Sequence, residues 1–209
     1  MNSPKYVAVL GASGFAAEVI EAAELSGWTV SGLYDDDVSA QGRVVMGNTC
    51  LGKISDFENG PQAAYIFAIG NNEVRKRLTP GLAKRGHKAI ILIHPGASVS
   101  RTALLSLGVY VGAGAFVGPQ AKVGQHAIVN VGASVGHDAI LGDWTQICPG
   151  SRVSGFAVLK EGAFMGSNAV LGPRVVMEEW SRLGAASFAS RTVAARSLAV
   201  GVPARTVTE

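Results

Sequence analysis

An aliphatic or methionine residue recurs at every sixth position through the second half of the chain, without a single slip. A helix with 3.6 residues per turn does not produce this period, whereas positions two apart on a strand share one face. Two positions before each of these residues stands a small or β-branched one, which is alanine in ten cases. We therefore predict short strands whose paired side chains face one interior. The fifteen repeating positions are Val99, Leu105, Val111, Val117, Val123, Val129, Val135, Leu141, Ile147, Val153, Leu159, Met165, Leu171, Met177 and Leu183.

Each six-residue repeat then consists of one strand and one corner, which is the pattern of a parallel β-helix. Three strands make a triangular coil of eighteen residues, so fifteen repeats make five stacked coils. Because no residue is inserted between Val99 and Leu183, chemistry must come from short corners or from neighbouring subunits. The position after the aliphatic residue is often glycine, and we expect positive φ there. These glycines are Gly112, Gly118, Gly124, Gly136, Gly142, Gly166, Gly172 and Gly184.

The first half alternates apolar runs with helical patterns, as a parallel sheet with crossover helices does. The predicted strands are Tyr6–Leu10, Thr29–Tyr34, Ala63–Ile69 and Ala89–Ile93. The predicted helices are Phe15–Leu25 and Glu73–Arg85, the second interrupted near Pro80 and Gly81. We predict two domains: a small Rossmann-like α/β domain over residues 1–92 and a β-helix domain over residues 93–209.

Three polar or glycine-rich segments fall at the carboxyl ends of predicted strands, where α/β sheets bind ligands. The glycine turn that follows the first strand lacks the full GxGxxG pattern, and a tight strand-to-helix turn needs glycine in any case. The acidic run can accept hydrogen bonds from a ribose or can be a solvated loop. Together the segments favour a ligand crevice. They are the turn Gly11, Ala12, Ser13 and Gly14, the run Asp35, Asp36 and Asp37, and the segment Gly70, Asn71 and Asn72.

Composition argues against several other classes of protein. The 209 residues include 27 glycines, with 48% hydrophobic and 16% charged residues, as expected for a packed protein rich in turns. The net charge of +3 comes from scattered basic residues, so no nucleic-acid partner is expected. Cys50 and Cys148 form neither a CxxC pair nor a disulfide framework. Neither a leader peptide nor a membrane span is apparent, which favours a cytoplasmic protein.

A set of short motifs occurs in a fixed order along nearly the whole chain. This set resembles the sugar-nucleotide N-acetyltransferases and sialic acid O-acetyltransferases of bacterial glycan biosynthesis. The resemblance implies a left-handed β-helix, a homotrimer, acetyl-CoA bound between adjacent subunits, and a nucleotide-sugar acceptor held partly by the N-terminal domain. The implied reaction moves the acetyl group of acetyl-CoA onto an amino group of the acceptor. The motifs are GASG at 11–14, AIGNNEVRKRL at 68–78, IHP at 93–95, VGHDAILGD at 135–143 and VGVPAR at 200–205.

The resemblance also assigns catalytic residues. It makes His137 the general base and Asp138 the acid that orients it. An imidazole, with an ordinary pKa of about 6.5, can accept a proton near neutral pH. Gln146 stands where the family commonly has histidine near the acetyl group. Its amide can donate a hydrogen bond to a thioester carbonyl but cannot titrate.

Further contacts follow from the resemblance. It places Asn130 near the acceptor sugar and Gly155, Ser167 and Ala185 at corners that line the acetyl-CoA groove. Small residues at corners are also what the coil requires, and asparagine tolerates left-handed turns, so purely structural roles stay open. Phe15 and Ala16 stand where the family often has histidine and glycine.

Competing functions differ in how well they fit. A hydratase of the carbonic anhydrase type uses the same solenoid but needs three converging histidines as zinc ligands. The four histidines do not offer such a set, so no metal is expected. A dinucleotide-dependent oxidoreductase would leave the repeat array without a role. An O-acetyltransferase acting on a sialic-acid-like sugar stays open, as does a non-enzymatic binding module. No motif specifies the sugar, the nucleotide or the acyl group.

Overall fold

The computed structural model describes residues 5–207, and the chain folds as two compact units, Met1–Pro95 and Gly96–Glu209. The elements of the first unit, in chain order, are β1 (Lys5–Leu10), α1 (Gly14–Leu25), β2 (Trp28–Tyr34), a 3₁₀ turn (Val38–Ala40), β3 (Val44–Val45), β4 (Asn48–Gly52), α2 (Ile54–Glu58), β5 (Ala64–Phe67), α3 (Asn72–Lys84), β6 (Lys88–Ala89) and β7 (Leu92–Ile93).

The sheet of the first unit has the strand order β3-β4-β2-β1-β5-β6. All neighbours are parallel except the hairpin of β3 and β4. The chain leaves β1 for β2 on one side and later returns to pair β5 on the other, so β1 marks a switch in strand order. This is the Rossmann-like arrangement predicted for the first half, and such a switch point opens a crevice at the carboxyl ends of the strands.

Packing in this unit centres on aromatic rings beneath the sheet. A cluster of buried side chains surrounds Phe57, whose ring lies 5.2 Å from that of Tyr34 and 4.4 Å from that of His87. His87 also accepts a hydrogen bond from the Ala63 amide at Nδ1 and contacts the Glu58 carbonyl through Nε2 at 3.1 Å. The imidazole therefore uses both ring nitrogens to join α2 to the residue that precedes β5.

Two sequence expectations for this unit are wrong. Helix α3 runs unbroken through Pro80, because its packing spans the proline: Arg75 before it and Leu82 after it are both fully buried. Tertiary packing on each side outweighs the one backbone hydrogen bond that proline removes. The run Ala89–Ile93 forms two short strands rather than one, since the chain leaves the sheet after β6.

The second unit begins with two-residue strands spaced six residues apart. They are β8 (Ser98–Val99), β9 (Leu104–Leu105), β10 (Tyr110–Val111), β11 (Phe116–Val117), β12 (Lys122–Val123), β13 (Ile128–Val129), β14 (Ser134–Val135), β15 (Ile140–Leu141), β16 (Gln146–Ile147), β17 (Arg152–Val153), β18 (Val158–Leu159), β19 (Phe164–Met165), β20 (Val170–Leu171), β21 (Val176–Met177), β22 (Arg182–Leu183) and β23 (Phe188–Ala189). A hairpin of β24 (Leu198–Gly201) and β25 (Ala204–Thr206) ends the unit.

Every third strand belongs to the same parallel sheet, so three sheets form the faces of a left-handed β-helix, as predicted. Residues stack on the positions eighteen before and after them, as Val117, Val135 and Val153 do. The repeating aliphatic residues and the small residues two positions before them fill the interior, and from Val109 to Leu183 all of them are buried. The sequence pattern therefore predicted both the coil and its core.

Each coil has three corners, and the corners of successive coils stack to form three edges of the solenoid. Each edge is named after one of its residues. The His137 edge comprises 100–102, 118–120, 136–138, 154–156 and 172–174. The Trp144 edge comprises 106–108, 124–126, 142–144, 160–162 and 178–180. The Asn130 edge comprises 112–114, 130–132, 148–150, 166–168 and 184–186. These edges carry the outward side chains considered below.

The expected role of the corner glycines is wrong. None of the eight glycines that follow the aliphatic positions has positive φ. Six of the eight lack room for a Cβ against the backbone of the next coil: an atom added at Gly136 would lie 2.7 Å from the Gly155 nitrogen. The backbone contacts at Gly172 and Gly184 are looser. Positive φ falls two residues later, at all fourteen positions from 108 to 186, and nine of those residues are not glycine. Close stacking therefore selects the glycines, whereas left-handed backbone is imposed at the following positions by the closure of the corner.

Candidate active site

The His137 edge holds the imidazole and carboxylate that the sequence singled out. Nδ1 of His137 lies 2.9 Å from Oδ2 of Asp138. Asp138 has a left-handed backbone with φ of 58°, and its amide donates to the Pro119 carbonyl at 2.9 Å, so the turn aims the carboxylate at its neighbour. The pair is accessible, since the two side chains are 61% and 39% exposed. With the Nδ1 proton donated to the carboxylate, Nε2 carries the lone pair and can act as a base.

Gly155 lies directly under the imidazole. A Cβ at this position would come within 2.6 Å of Nε2 of His137, closer than atoms of side chains approach one another. The missing side chain therefore creates the space in which the ring sits. Gly155 is one of the residues assigned to the acetyl-CoA groove, and the structure brings it together with His137 and Asp138.

Sequence reasoning missed two residues on this edge. The ring of Phe156 meets the His137 ring edge to face, with centroids 5.2 Å apart and planes at 88°. The guanidinium of Arg174 lies 4.8 Å from the centroid of the Phe156 ring. Both follow from the eighteen-residue stacking rule, because 156 and 174 are the next positions after Asp138 in its column. The repeat alone could therefore have identified them.

The remaining solenoid residues predicted to bind substrates lie elsewhere in the same copy. Ser167 and Ala185 are exposed on the Asn130 edge, one above the other. Asn130 is buried on that edge, and its Oδ1 accepts a hydrogen bond from the Val131 amide at 2.7 Å. Gln146 lies on the face that leads into the edge, and its amide contacts the Cys148 sulfur at 3.6 Å. Within one copy these residues and His137 occupy different edges of the triangular prism.

In the first unit, the predicted turn adopts the expected geometry at the end of β1. Gly11 has φ of 120°, and a Cβ there would lie 2.5 Å from the Ala68 carbonyl oxygen, so the position requires glycine. Ser13 provides no side-chain cap to α1, and the first turn of α1 contains no acidic residue. Ser13 and Gly14 are exposed, whereas Ala16 is fully buried in α1 and Phe15 is half-buried. The exposed start of α1 suits an anionic group because of the helix dipole.

The acidic run at the end of β2 serves the loop itself. One oxygen of Asp35 accepts from the Ala12 amide at 2.7 Å, and the other accepts from the Asp37 amide at 2.9 Å. Asp36 accepts from the Ile54 amide at the start of α2, at 3.0 Å. The backbone hydrogen bond from Ser39 lowers the pKa of the Asp37 carboxyl. These carboxylates tie neighbouring loops together, which sequence spacing alone did not reveal.

The third segment follows β5. Gly70 and Asn71 are exposed, and Oδ1 of Asn71 accepts from the Val74 amide at 3.1 Å, so this side chain caps α3. Arg75, fully buried, donates to the Ile69 carbonyl at 2.8 Å and to Oδ1 of Asn72 at 3.0 Å. Arg75 therefore fixes the loop that carries Gly70 and Asn71. This buried cation is a third residue that the sequence analysis did not single out.

Two further observations concern residues 5–207. Across this described range, no cluster of three or more histidine, cysteine or acidic side chains could hold a metal ion. No helix in the same range is both long and apolar enough to cross a membrane.

Comparison with known proteins adds to this geometry. The family described as PglD N-terminal domain matches residues 6–82. A UDP-N-acetylbacillosamine N-acetyltransferase of Bacillus subtilis is 39% identical over 51 residues, a match that spans 24% of each chain.

Solved structures match nearly the full length of the chain. A mutant perosamine N-acetyltransferase from Caulobacter crescentus, in complex with CoA and GDP-perosamine, is 31% identical over 99% of both chains with a TM-score of 0.93. The acetyltransferase domain of PglB from Neisseria gonorrhoeae, in complex with acetyl coenzyme A, is 29% identical over 98% of this chain and 100% of that one, with a TM-score of 0.88. By fold, coverage and identity, the chain belongs to the sugar-nucleotide N-acetyltransferase family.

Proposed function

We propose that this protein transfers the acetyl group of acetyl-CoA to the amino group of a nucleotide-linked amino sugar, in bacterial surface-glycan biosynthesis. The observation that carries the proposal is the accessible imidazole of His137, whose Nδ1 is bound by Asp138 and whose Nε2 has no hydrogen-bond partner among residues 5–207. Support comes from the full-length relative that binds CoA and GDP-perosamine, and from the relative that binds acetyl coenzyme A.

The chemistry requires one base in this position. As the acceptor nitrogen attacks the thioester carbonyl, it must lose a proton, and Nε2 of His137 takes it. The new C–N bond forms, the C–S bond breaks, and the imidazolium returns the proton to the departing sulfur. Asp138 stabilises the imidazolium through Nδ1 and holds the tautomer in which Nε2 is the acceptor.

We further propose that the active protein is a homotrimer with its acetyl-CoA grooves between copies. His137 and Gly155 lie on one edge of the prism, whereas the other predicted groove residues, Ser167 and Ala185, lie on another. A groove with both sets of walls therefore needs the His137 edge of one copy and the Asn130 edge of the next. Gln146, on the face that leads into the Asn130 edge, would then donate its amide hydrogen bond from the second copy.

The first unit is proposed to hold the nucleotide of the acceptor. The segments at the carboxyl ends of β1, β2 and β5 meet at the switch point of the sheet. Asp35, Asp36 and Asn71 already bind backbone amides, and the amides of Gly11 and Ala12 already donate within the fold. The ligand contacts expected here therefore come chiefly from main-chain groups of Ser13, Gly14 and Gly70. The cytoplasmic location expected from the sequence stays a prediction.

Thiol release from acetyl-CoA, measured with a panel of UDP-, GDP- and dTDP-linked amino sugars, tests the proposed reaction. We expect saturable release with at least one amino sugar and an acetamide product by mass spectrometry. A hydroxyl-bearing sialic-acid-like acceptor that gives an ester product would instead establish O-acetyl transfer. No release with any acceptor, despite saturable binding of acetyl-CoA, would leave the binding module as the function.

Mixing two inactive variants tests the groove between copies. His137→Ala damages one edge, and Ser167→Trp fills the other without touching the core. If each groove uses edges from two copies, randomly mixed trimers regain about a quarter of the wild-type activity, because about one groove in four has both edges intact. The proposal would be contradicted if the two variants regained no activity after they were unfolded and reassembled together. It would also be contradicted if the wild-type protein sedimented as a fully active monomer.

A further inference from the structure

We propose that Phe156 is a positioning residue for His137, and that Arg174 holds Phe156 in place. The inference rests on the proposed role of His137 as general base. It concerns two residues that none of the sequence motifs includes, and it follows from contacts along the His137 edge.

The position of Phe156 is set by the coil rather than by burial. It stacks eighteen residues after Asp138 and shares its left-handed backbone, with φ of 59° against 58°. Its amide donates to the carbonyl of His137 at 3.1 Å, so the backbone of Phe156 is attached to the residue it contacts. Phe156 is 44% exposed, so its side chain does not fill the core of the solenoid. A large apolar side chain in a left-handed corner and facing solvent needs an explanation other than packing of the interior.

The imidazole needs a second restraint. Its hydrogen bond to Asp138 fixes Nδ1, but the side chain is 61% exposed and Gly155 offers no side chain beneath Nε2. One hydrogen bond leaves the ring able to rock about that contact. The Phe156 ring, 5.2 Å away and nearly perpendicular, is in the favourable edge-to-face arrangement and resists such motion. Asp138 and Phe156 thus restrain the imidazole from two directions.

Arg174 completes the arrangement from the next coil. Its guanidinium lies 4.8 Å from the centre of the Phe156 ring, within the range of a cation–π contact. Its amide donates to the Gly155 carbonyl at 3.2 Å, which ties the corner of Arg174 to the corner of Gly155. Arg174 therefore acts on His137 through Phe156 and not directly.

Steady-state kinetics of Phe156→Ala, Phe156→Leu and Phe156→Tyr test the proposal. We expect Phe156→Ala to lower kcat about tenfold, equivalent to about 1.4 kcal/mol, with KM for both substrates within about twofold of wild type. Phe156→Leu keeps apolar bulk but no ring and should resemble Phe156→Ala, whereas Phe156→Tyr should retain most of the activity. Trp180→Ala is the matched control, because Trp180 is an aromatic residue with φ of 58° on a different edge. It should leave kcat unchanged at temperatures well below unfolding.

A double-mutant cycle tests the part assigned to Arg174. Arg174→Met should lower kcat about threefold alone and add nothing to Phe156→Ala, because its effect passes through the ring that Phe156→Ala removes. Additive losses would overturn that assignment. A raised KM with unchanged kcat in Phe156→Ala would show a substrate contact instead of positioning, and kcat within twofold of wild type would overturn the proposal altogether.

A spectroscopic readout separates this proposal from the proposed reaction. In spectra of protein with ring-labelled histidine, His137 is identified by its loss in His137→Asn. Removal of the Phe156 ring should shift the ring-proton resonances of His137 and broaden them as the ring gains mobility. If no acceptor is acetylated by wild type, the proposed function fails but this measurement still applies. Unchanged His137 resonances in Phe156→Ala would overturn the positioning role independently of activity.

Discussion

The two units use their polar groups in opposite ways. At the strand ends of the first unit, side chains hold the loops: Asp35 binds the amides of Ala12 and Asp37, and Asn71 caps α3. In the solenoid, the backbone holds the structure instead. Amides of the strands and corners donate to carbonyls of neighbouring coils or within their own corner, as Asp138 donates to Pro119 and Phe156 donates to His137.

This difference determines which groups remain for ligands. Where side chains hold the loops, the backbone at the start of α1 stays available for ligand binding. It suits an anionic group, whatever the rest of the ligand is. Where the backbone holds the coils, only side chains at the corners can do chemistry. We therefore expect the solenoid site to be sensitive to single side-chain changes, and the first unit to respond mainly when the loop geometry is disturbed.

The largest effect is expected from His137→Ala, which removes the proposed base. Loss of a general base lowers turnover by roughly 10² to 10⁴-fold. Because the side chain is 61% exposed and lies outside the core, the melting temperature should hardly change. Steady-state kinetics with a confirmed acceptor measure the loss of turnover, and thermal unfolding measures the melting temperature. A loss below about tenfold at neutral pH would show that His137 is not the base.

Gly155→Ala tests whether the room beneath the imidazole matters. The added methyl would lie 2.6 Å from Nε2, so the ring must move aside by up to about 1 Å. Misplacement on this scale lowers kcat by about 10- to 100-fold, while the mobile imidazole keeps the cost in stability small. Gly132→Ala is the control, since a Cβ there meets no atom within 4 Å. Its φ of 61° makes it the more strained change for the fold, but it should leave kcat unaltered. Equal kcat values for the two variants would contradict the prediction.

Asp35→Ala probes the side chains that hold the first unit. Both carboxylate oxygens accept backbone hydrogen bonds, so the change should lower the free energy of unfolding by about 1–3 kcal/mol. The loosened loops should raise KM for the nucleotide sugar about fivefold, with KM for acetyl-CoA and kcat little changed. Asp35→Asn retains one acceptor, so its stability and its KM for the nucleotide sugar should lie between those of wild type and those of Asp35→Ala. A large rise in KM without any loss of stability would indicate direct contact with the ligand instead.

Ser13→Ala should have the smallest effect. Replacing a serine that caps a helix normally costs about 1 kcal/mol, but the Ser13 side chain makes no cap hydrogen bond. If the backbone of the turn holds the ligand, KM for the nucleotide sugar should stay within about twofold of wild type. The free energy of unfolding should change by no more than the equivalent of that factor. Calorimetric titration with the nucleotide sugar checks this. An affinity lowered tenfold or more would place the hydroxyl in the binding site and weaken the comparison between the two units.

Periodicity determined the parts of this protein that depend on repetition. The six-residue spacing predicted the strands, their inward residues such as Val135 and Leu159, and the prismatic coil, because alternation along a strand assigns each position to a face. The motif VGHD singled out His137 and Asp138, which the structure joins at 2.9 Å. These features depend on neighbours in the chain or on a constant spacing, and both can be read directly from the order of the residues.

Tertiary structure decided the features that depend on contacts between distant or stacked residues. Asp35 could have met a ribose or solvent, and only the fold shows that it holds the Ala12 amide 23 residues away. The corner glycines were expected to supply positive φ, yet the distance between coils is what selects them. The eighteen-residue repeat places Phe156 in the column of Asp138, but the orientation of its ring against the His137 ring is decided by packing. Such contacts form only when the chain has closed on itself, so the order of residues does not contain them explicitly.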